Sequence, residues 1–250
     1  MEAFKAALTN EVEKMYKKKK AAVIVIISLV VIVLGQLMVT GIRNGLGLRT
    51  AGGTEFPILV LSVFTNTILP LFTALVTIDV FAGEFSHNNM KIILTRPISR
   101  LKIFSAKLTA VGFFVLANLI VVMLLSTLTG FLFNSASISA TAIARILISY
   151  FVTVIPVMTL AIIISVFANI LKSGSAVFFM SILLYIVLKA LGYVFPQYSS
   201  LFVTSMLDWY NLWIADSIPV LKALRLFLIM LGYSITAFTA AFYLFDKKDL

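Results

Sequence analysis

The sequence predicts an all-α, polytopic membrane protein. It has six transmembrane helices, an N-terminal interfacial amphipathic helix, and short re-entrant or interfacial helices between helices 5 and 6. Three observations carry this prediction. Of 250 residues, 61% are hydrophobic and only 12% are charged, about half the charged share of soluble domains. Several apolar runs reach the roughly 20 residues that a helix needs to cross the hydrocarbon core. Those runs are continuously apolar and do not alternate in face, which disfavours a transmembrane β-barrel. One transmembrane domain over residues 1–250 leaves no room for a soluble catalytic domain.

Residues 1–20 do not read as a signal peptide. The block Lys17 to Lys20 precedes an apolar run, but the run continues from Ala21 to about Val39 with no A-x-A cleavage site, so it is a retained anchor, helix 1. Upstream, Phe4, Leu8, Val12 and Met15 recur at helical spacing, with Lys5, Glu11, Glu13 and Lys14 elsewhere on the wheel. This predicts a short amphipathic helix on the cytoplasmic surface. Gly41 to Phe56 reads as a Gly-rich outer loop. Pro57 suits the first turn of helix 2, which runs to about Ala82 with a kink at Pro70 and Asp79 near its inner end.

The segment 83–102 is the longest polar interruption on the basic side. Met90 to Leu94 is a short amphipathic piece, Pro97 turns Arg96 away from helix, and Ser99 is placed to cap helix 3. Helix 3 runs from Ile103 to Phe133, about 15 Å longer than the hydrocarbon thickness, so it starts in the cytoplasm with Lys107 near the boundary. Asn134 to Thr141 is a Ser-rich outer loop. Helix 4 covers Ala142 to Asn169, with Arg145 near its outer end and Pro156 mid-helix. Leu171 to Gly174 is a tight inner turn. Helix 5 runs from Ser175 to about Phe195, with Lys189 in its outer half. The segment 196–219 is too polar to span, and its Trp209, Tyr210 and Trp213 favour the outer interface. Helix 6 covers Leu221 to Phe245.

Charge orients this layout. With both termini cytoplasmic, the inner side holds fourteen basic residues (Lys5, Lys14, Lys17 to Lys20, Lys91, Arg96, Arg100, Lys102, Lys107, Lys172, Lys247, Lys248). The outer side holds six (Arg43, Arg49, Arg145, Lys189, Lys222, Arg225). That is the positive-inside bias, which accounts for the net charge of +10 without nucleic acid; anionic lipid is the simpler partner.

Chemistry is sparse. There is no cysteine and one histidine, no H-E-x-x-H, no Walker A sequence and no G-x-S-x-G turn. His87 has no nucleophile at a recognisable spacing. Asp79 is the only acidic residue within an apolar span, so paired-carboxylate catalysis is excluded. No catalytic, cofactor or metal residues are assigned, and the chain is not expected to be an enzyme itself. What remains is mechanical: a short rigid element joining two long helices can pass a partner's motion to both. Asp79, Lys189, Trp209 and Trp213 are the candidates for a pathway or interface.

The run Glu84-Phe85-Ser86, Lys91-Ile92-Ile93-Leu94-Thr95-Arg96-Pro97-Ile98-Ser99-Arg100 and Lys107 resembles the hallmark of the ABC-2 type permeases of bacterial ABC transporters. The shared features are an upstream Glu, a Pro-Ile-Ser-Arg core and a Lys entering helix 3. The whole-chain layout is similar to theirs. Where many members carry Gly-Thr, this chain has Asn88-Asn89, residues that tolerate left-handed backbone. The resemblance implies a homodimer, or a heterodimer with a second permease, working with separate cytoplasmic ABC ATPase subunits that carry the ATP and Mg. It implies a coupling face made of Glu84, Lys91, Leu94, Arg96, Pro97 and Arg100. It also implies residence in a bacterial cell membrane and export of an amphiphilic substrate: a drug, an antimicrobial peptide or a lipid-like molecule. The alternative is a membrane scaffold or signalling subunit that uses ATPase motion to regulate an outer partner.

Overall fold

The computed structural model describes residues 2–17, 19–46, 51–83, 98–134, 139–171 and 173–247. Among these there are helices and turns and no strand. The helices are α1 (Glu2–Tyr16), α2 (Lys19–Leu46), α3 (Phe56–Asn66), α4 (Ile68–Phe81), α5 (Arg100–Phe133), α6 (Ala140–Ile170) and α7 (Gly174–Val194). After a 3₁₀ turn, Pro196–Leu201, come two single-turn helices, α8 (Val203–Met206) and α9 (Tyr210–Trp213), and then the long α10 (Val220–Asp246).

Five helices are long and apolar enough to cross a membrane: α2, α5, α6, α7 and α10. The sixth crossing is α3 and α4 together, bent by 49°. Neither is long enough alone, but the pair follows α5 from end to end. At one end Gly130 packs on the backbone of Gly53 and on Phe56; at the other, Lys107 bonds the Val80 carbonyl. Residues 107 and 130 of a helix stand about 35 Å apart, more than the hydrocarbon thickness of about 30 Å. The pair is therefore a broken span and not a loop that returns to its own side.

The break is at Thr67, whose φ of −132° and ψ of −70° are non-helical, three residues ahead of the kink expected at Pro70. The reason is the geometry of proline. Pro70 has no N–H for the carbonyl of Asn66, and its ring crowds that carbonyl, so the strain falls upstream of it. Pro156 removes a bond from α6 in the same way, yet α6 continues through it.

One helix end and one capping bond differ from the sequence reading. α2 does not stop near Val39 but runs through Gly41 and Gly45 to Leu46, so the start of the supposed Gly-rich loop is helix. Tertiary bonding overrides propensity there. The Gln36 and Asn134 side-chain amides bond reciprocally at 3.1 and 3.0 Å, and Arg43 donates to Asn134 Oδ1 at 2.6 Å. Together these hold the last turns of α2 against the end of α5. Ser99 does precede α5 as its N-cap residue, but its hydroxyl makes no capping bond.

Part of the buried core lies at the end where residues 83 and 98 flank the connector between α4 and α5. Phe104 of α5 is fully buried and sits among four rings: Phe81 of α4 at 5.4 Å, and Phe238, Phe242 and Phe245 of α10 at 5.2, 5.7 and 5.5 Å. Centroid spacings of this size suit edge-to-face and tilted aromatic packing. By contrast, the outward faces of α2 and α7 are apolar and exposed, with Ile26, Val30, Leu37, Phe179, Leu183 and Ile186 all more than a third accessible.

Candidate functional site

The coupling face expected from the sequence centres on the connector. Glu84, Lys91, Leu94, Arg96 and Pro97 lie outside the described residues, as do His87 and the Asn88-Asn89 turn. Arg100 is described, and so are the helices on either side of the connector, α4 and α5.

Arg100 opens α5 and reaches the last residue of α10. Its guanidinium donates to the Asp246 carbonyl, and Nε lies 4.0 Å from the Asp246 carboxylate. A cation at a helix C-terminus is favoured because the final carbonyls there lack partners. Two turns on, Lys107 is fully buried. Its ammonium donates to the Val80 carbonyl of α4 at 2.9 Å and to Glu11 Oε2 of α1 at 3.4 Å. It therefore does not sit at the boundary with its charge in water. It is an internal tie among three helices.

Glu11 is the partner that the sequence reading placed on the wrong side of the wheel. It is only 6% exposed, and its other oxygen accepts from Lys14 at 2.9 Å. The spacing carries the signal: Glu11 is three residues after Leu8, next to Val12 and four before Met15, so it shares their face. That face docks α1 on the bundle: Met15 is buried, and Leu8 and Val12 pack against the core. Burial pushes the Glu11 carboxyl up, but the Lys107 and Lys14 charges outweigh it and hold it below the ordinary carboxylate value. The Glu11 carboxyl is thus ionised at neutral pH, held in a buried contact whose hydrogen bonds are filled.

The four pathway or interface candidates do not converge on one site. Asp79 is half-buried near the connector end of α4. Lys189 of α7 is at the opposite, distal end and bonds the side-chain oxygen of Asn66. Trp209 is 3% exposed. It donates from Nε1 to the Ala223 carbonyl at 3.2 Å and stacks on Phe227, so it anchors the start of α10. Trp213 packs edge-on against Trp209 at 5.4 Å, and its buried Nε1 has no hydrogen-bond partner among the described residues.

Sequence reasoning missed Asn66, which gathers Lys189, Tyr185 and Asp208 at the break in the second span. The signal was available: Asn66 stands four residues before Pro70 and so carries the carbonyl that the proline leaves unbonded. Among the described residues no group of three or more His, Cys, Asp or Glu side chains could hold a metal ion.

The comparison with protein families bears on what this arrangement serves. A family model described as "ABC-2 family transporter protein" matches residues 7–192. The match takes in most of α1, nearly all of α7, and everything between them, the connector included. No curated protein matches the chain.

Proposed function

The chain belongs to the ABC-2 family of transporter proteins, and on that premise we propose that it drives export of an amphiphilic substrate through the connector between α4 and α5. As a member of that family it is a multi-pass permease subunit of an ABC transporter, a type that works with an ABC ATPase. In the reading proposed here the ATPase is a separate cytoplasmic protein. It seats on residues 83–102, with Glu84, Lys91, Leu94, Arg96, Pro97 and Arg100 as the contact face. Two permeases form the pathway, and both termini lie in the cytoplasm of a bacterial cell.

The observation that supports this reading most is the tying of the connector's flanks. The residues on either side of it do not end in loose helix tips. Through Lys107, α4, α5 and α1 are joined. Through Phe104 and Arg100, α10 is added. A force applied at the connector therefore moves four helices as one body, which rigid-body switching requires. α1, the end of α4, the start of α5 and the end of α10 also share one end of the bundle, the end the charge bias assigns to the cytoplasm. The apolar outward faces of α2 and α7 suit lipid or a second permease, and an apolar surround suits an amphiphile better than an ion.

The test is co-purification. The tagged permease, extracted in mild detergent from its own cells, is expected to bring down an ABC ATPase, and the permease alone is expected to hydrolyse no ATP. Glu84→Lys and Arg100→Glu should leave insertion intact while separating ATP turnover from transport. A stable permease that recruits no ATPase, or unchanged transport in both variants, would overturn the proposal.

A further inference from the structure

The polar cluster at the Thr67 break lies away from the connector, yet it is more fully bonded than a membrane helix requires. Asn66 ends α3. Its side-chain oxygen accepts from the Lys189 ammonium of α7. Its amide donates to Asp208 Oδ1 at 2.8 Å and to the Ser62 carbonyl at 3.0 Å. Its main-chain carbonyl accepts from the Tyr185 hydroxyl of α7 at 2.8 Å. An Asn side chain offers one acceptor oxygen and two N–H donors, and all are engaged.

The carbonyl bond is the informative one. Pro70 has no N–H, so no helical donor exists for Asn66 O. A carbonyl left unpaired in an apolar surround costs several kcal/mol, and Tyr185 removes that cost from outside the helix. The bent form of the second span is thus satisfied only while α7 is alongside. The same residue, through Asp208, holds the segment that precedes α9. Below the break, α4 and α7 are not close-packed: a cavity of about 20 Å³ lies between Pro70, Ala74, Leu160, Ser181 and Tyr185, room for about one water-sized group.

We infer that Asn66 is a positioning residue for transport: a latch that holds α7 and the Asp208 segment to the bent second span, and that opens when α4 is moved from its other end. Asn66 stands at the break before α4, and the connector follows the other end of α4. Motion entering at residue 83 arrives at residue 66 about 25 Å away along α4. There it meets bonds made by two other elements. Opening the latch frees the distal end of α7 from the second span. This rests on the reading that an ATPase drives the connector, and the experiment separates the two.

The chain has no cysteine, so the pair Leu59→Cys and Leu201→Cys, both on exposed positions, takes spin labels without background. Distances are measured in lipid nanodiscs, first without any ATPase. The parent pair should give one narrow distribution. Tyr185→Phe, which removes only the hydroxyl, and Asn66→Ala should each add a longer population, displaced on the order of 5 Å. Pro70→Ala should make Tyr185→Phe silent, because an alanine in place of the proline returns a helical N–H donor to the Asn66 carbonyl. With the ATPase present, ATP should produce the longer population in the parent and no further change in Asn66→Ala. Identical distributions in the parent, Tyr185→Phe and Asn66→Ala would overturn the latch. Shifted variants with no response of the parent to ATP would support the latch and count against the ATPase reading instead.

Discussion

The ammonium of Lys107 donates to the main-chain carbonyl of Val80 at 2.9 Å, inside the bundle and without access to solvent. Val80 is in the last turn of α4, where carbonyls have no helical partner. A lysine in the second turn of the next long helix supplies one. The same ammonium meets the Glu11 carboxylate. One side chain thus fastens the end of α4, the start of α5 and the middle of α1, all beside the connector.

Lys107→Met should therefore destabilise strongly. It leaves the buried Glu11 carboxylate with only the part-exposed Lys14 as a counter-charge and removes the donor from Val80. Loss of one partner of a buried pair costs about 3–5 kcal/mol. The double variant Glu11→Leu with Lys107→Met should cost clearly less than the sum of the single changes, because no charge is stranded. Thermal unfolding in detergent measures both. A parent-like unfolding temperature for Lys107→Met would show that the tie contributes nothing.

The pair also sets a pH dependence. The Glu11 carboxyl is held below its ordinary value by Lys107 and Lys14, which outweigh the effect of burial. A group whose folded pKa is depressed adds stability above its unfolded pKa, and that stability is lost as pH falls through the folded value. The docking of α1 should hold from neutral pH down through the ordinary carboxylate range and weaken below it. In Glu11→Gln this loss should disappear: the variant is less stable at neutral pH, and its stability converges on the parent's in acid. Unfolding temperatures across that range, parent against variant, decide it; parallel curves would exclude Glu11 as the source.

Much of this was legible in the sequence, for reasons that can be named. Six crossings follow from continuous apolar length, because lipid leaves the backbone no alternative to helix. The amphipathic α1, Pro57 in the first turn of α3 and the N-cap position of Ser99 follow from local rules. What was not legible depended on a third element. The break at Thr67 follows from the ring of Pro70, but the carbonyl it leaves open at Asn66 is satisfied by Tyr185, more than a hundred residues away. α2 passed Gly41 because Asn134 holds it. Glu11 was assigned to the polar side because a charge is normally solvated, and only the position of Lys107 in space makes the opposite face tolerable. At the candidate site the sequence pointed to the connector; the structure adds what the connector is fastened to.

Gly130 tests the end-to-end course of the second span. A Cβ there would collide with the Gly53 carbonyl oxygen, a backbone atom that cannot swing aside. Gly130→Ala should lower the unfolding temperature although Ala is the better helix former. Gly35→Ala, in α2 with nothing within 4 Å of the added carbon, should be neutral or stabilising by up to about 1 kcal/mol. If the two substitutions behave alike, α3 does not start against the end of α5.

Phe104 carries the most demanding prediction, because stability and coupling should part there. Its ring touches Phe81 of α4 and three rings of α10. Truncation to Ala in such a core costs about 3–5 kcal/mol. Phe104→Leu keeps most of the volume and should cost less than about 1.5 kcal/mol. Leu fills the site but lacks the flat edges that hold Phe81 and Phe238 in register, so the ends of α4 and α10 gain play. Phe104→Leu is thus expected to fold, insert and bind its ATPase, and to show ATP turnover that transport no longer follows one-for-one. The measurement is the ratio of substrate moved to ATP hydrolysed in proteoliposomes. An unchanged ratio in a variant shown to be folded would mean that the aromatic hub stabilises the bundle without transmitting motion. The Lys107 tie would then be the tested route left for motion between α4 and α5.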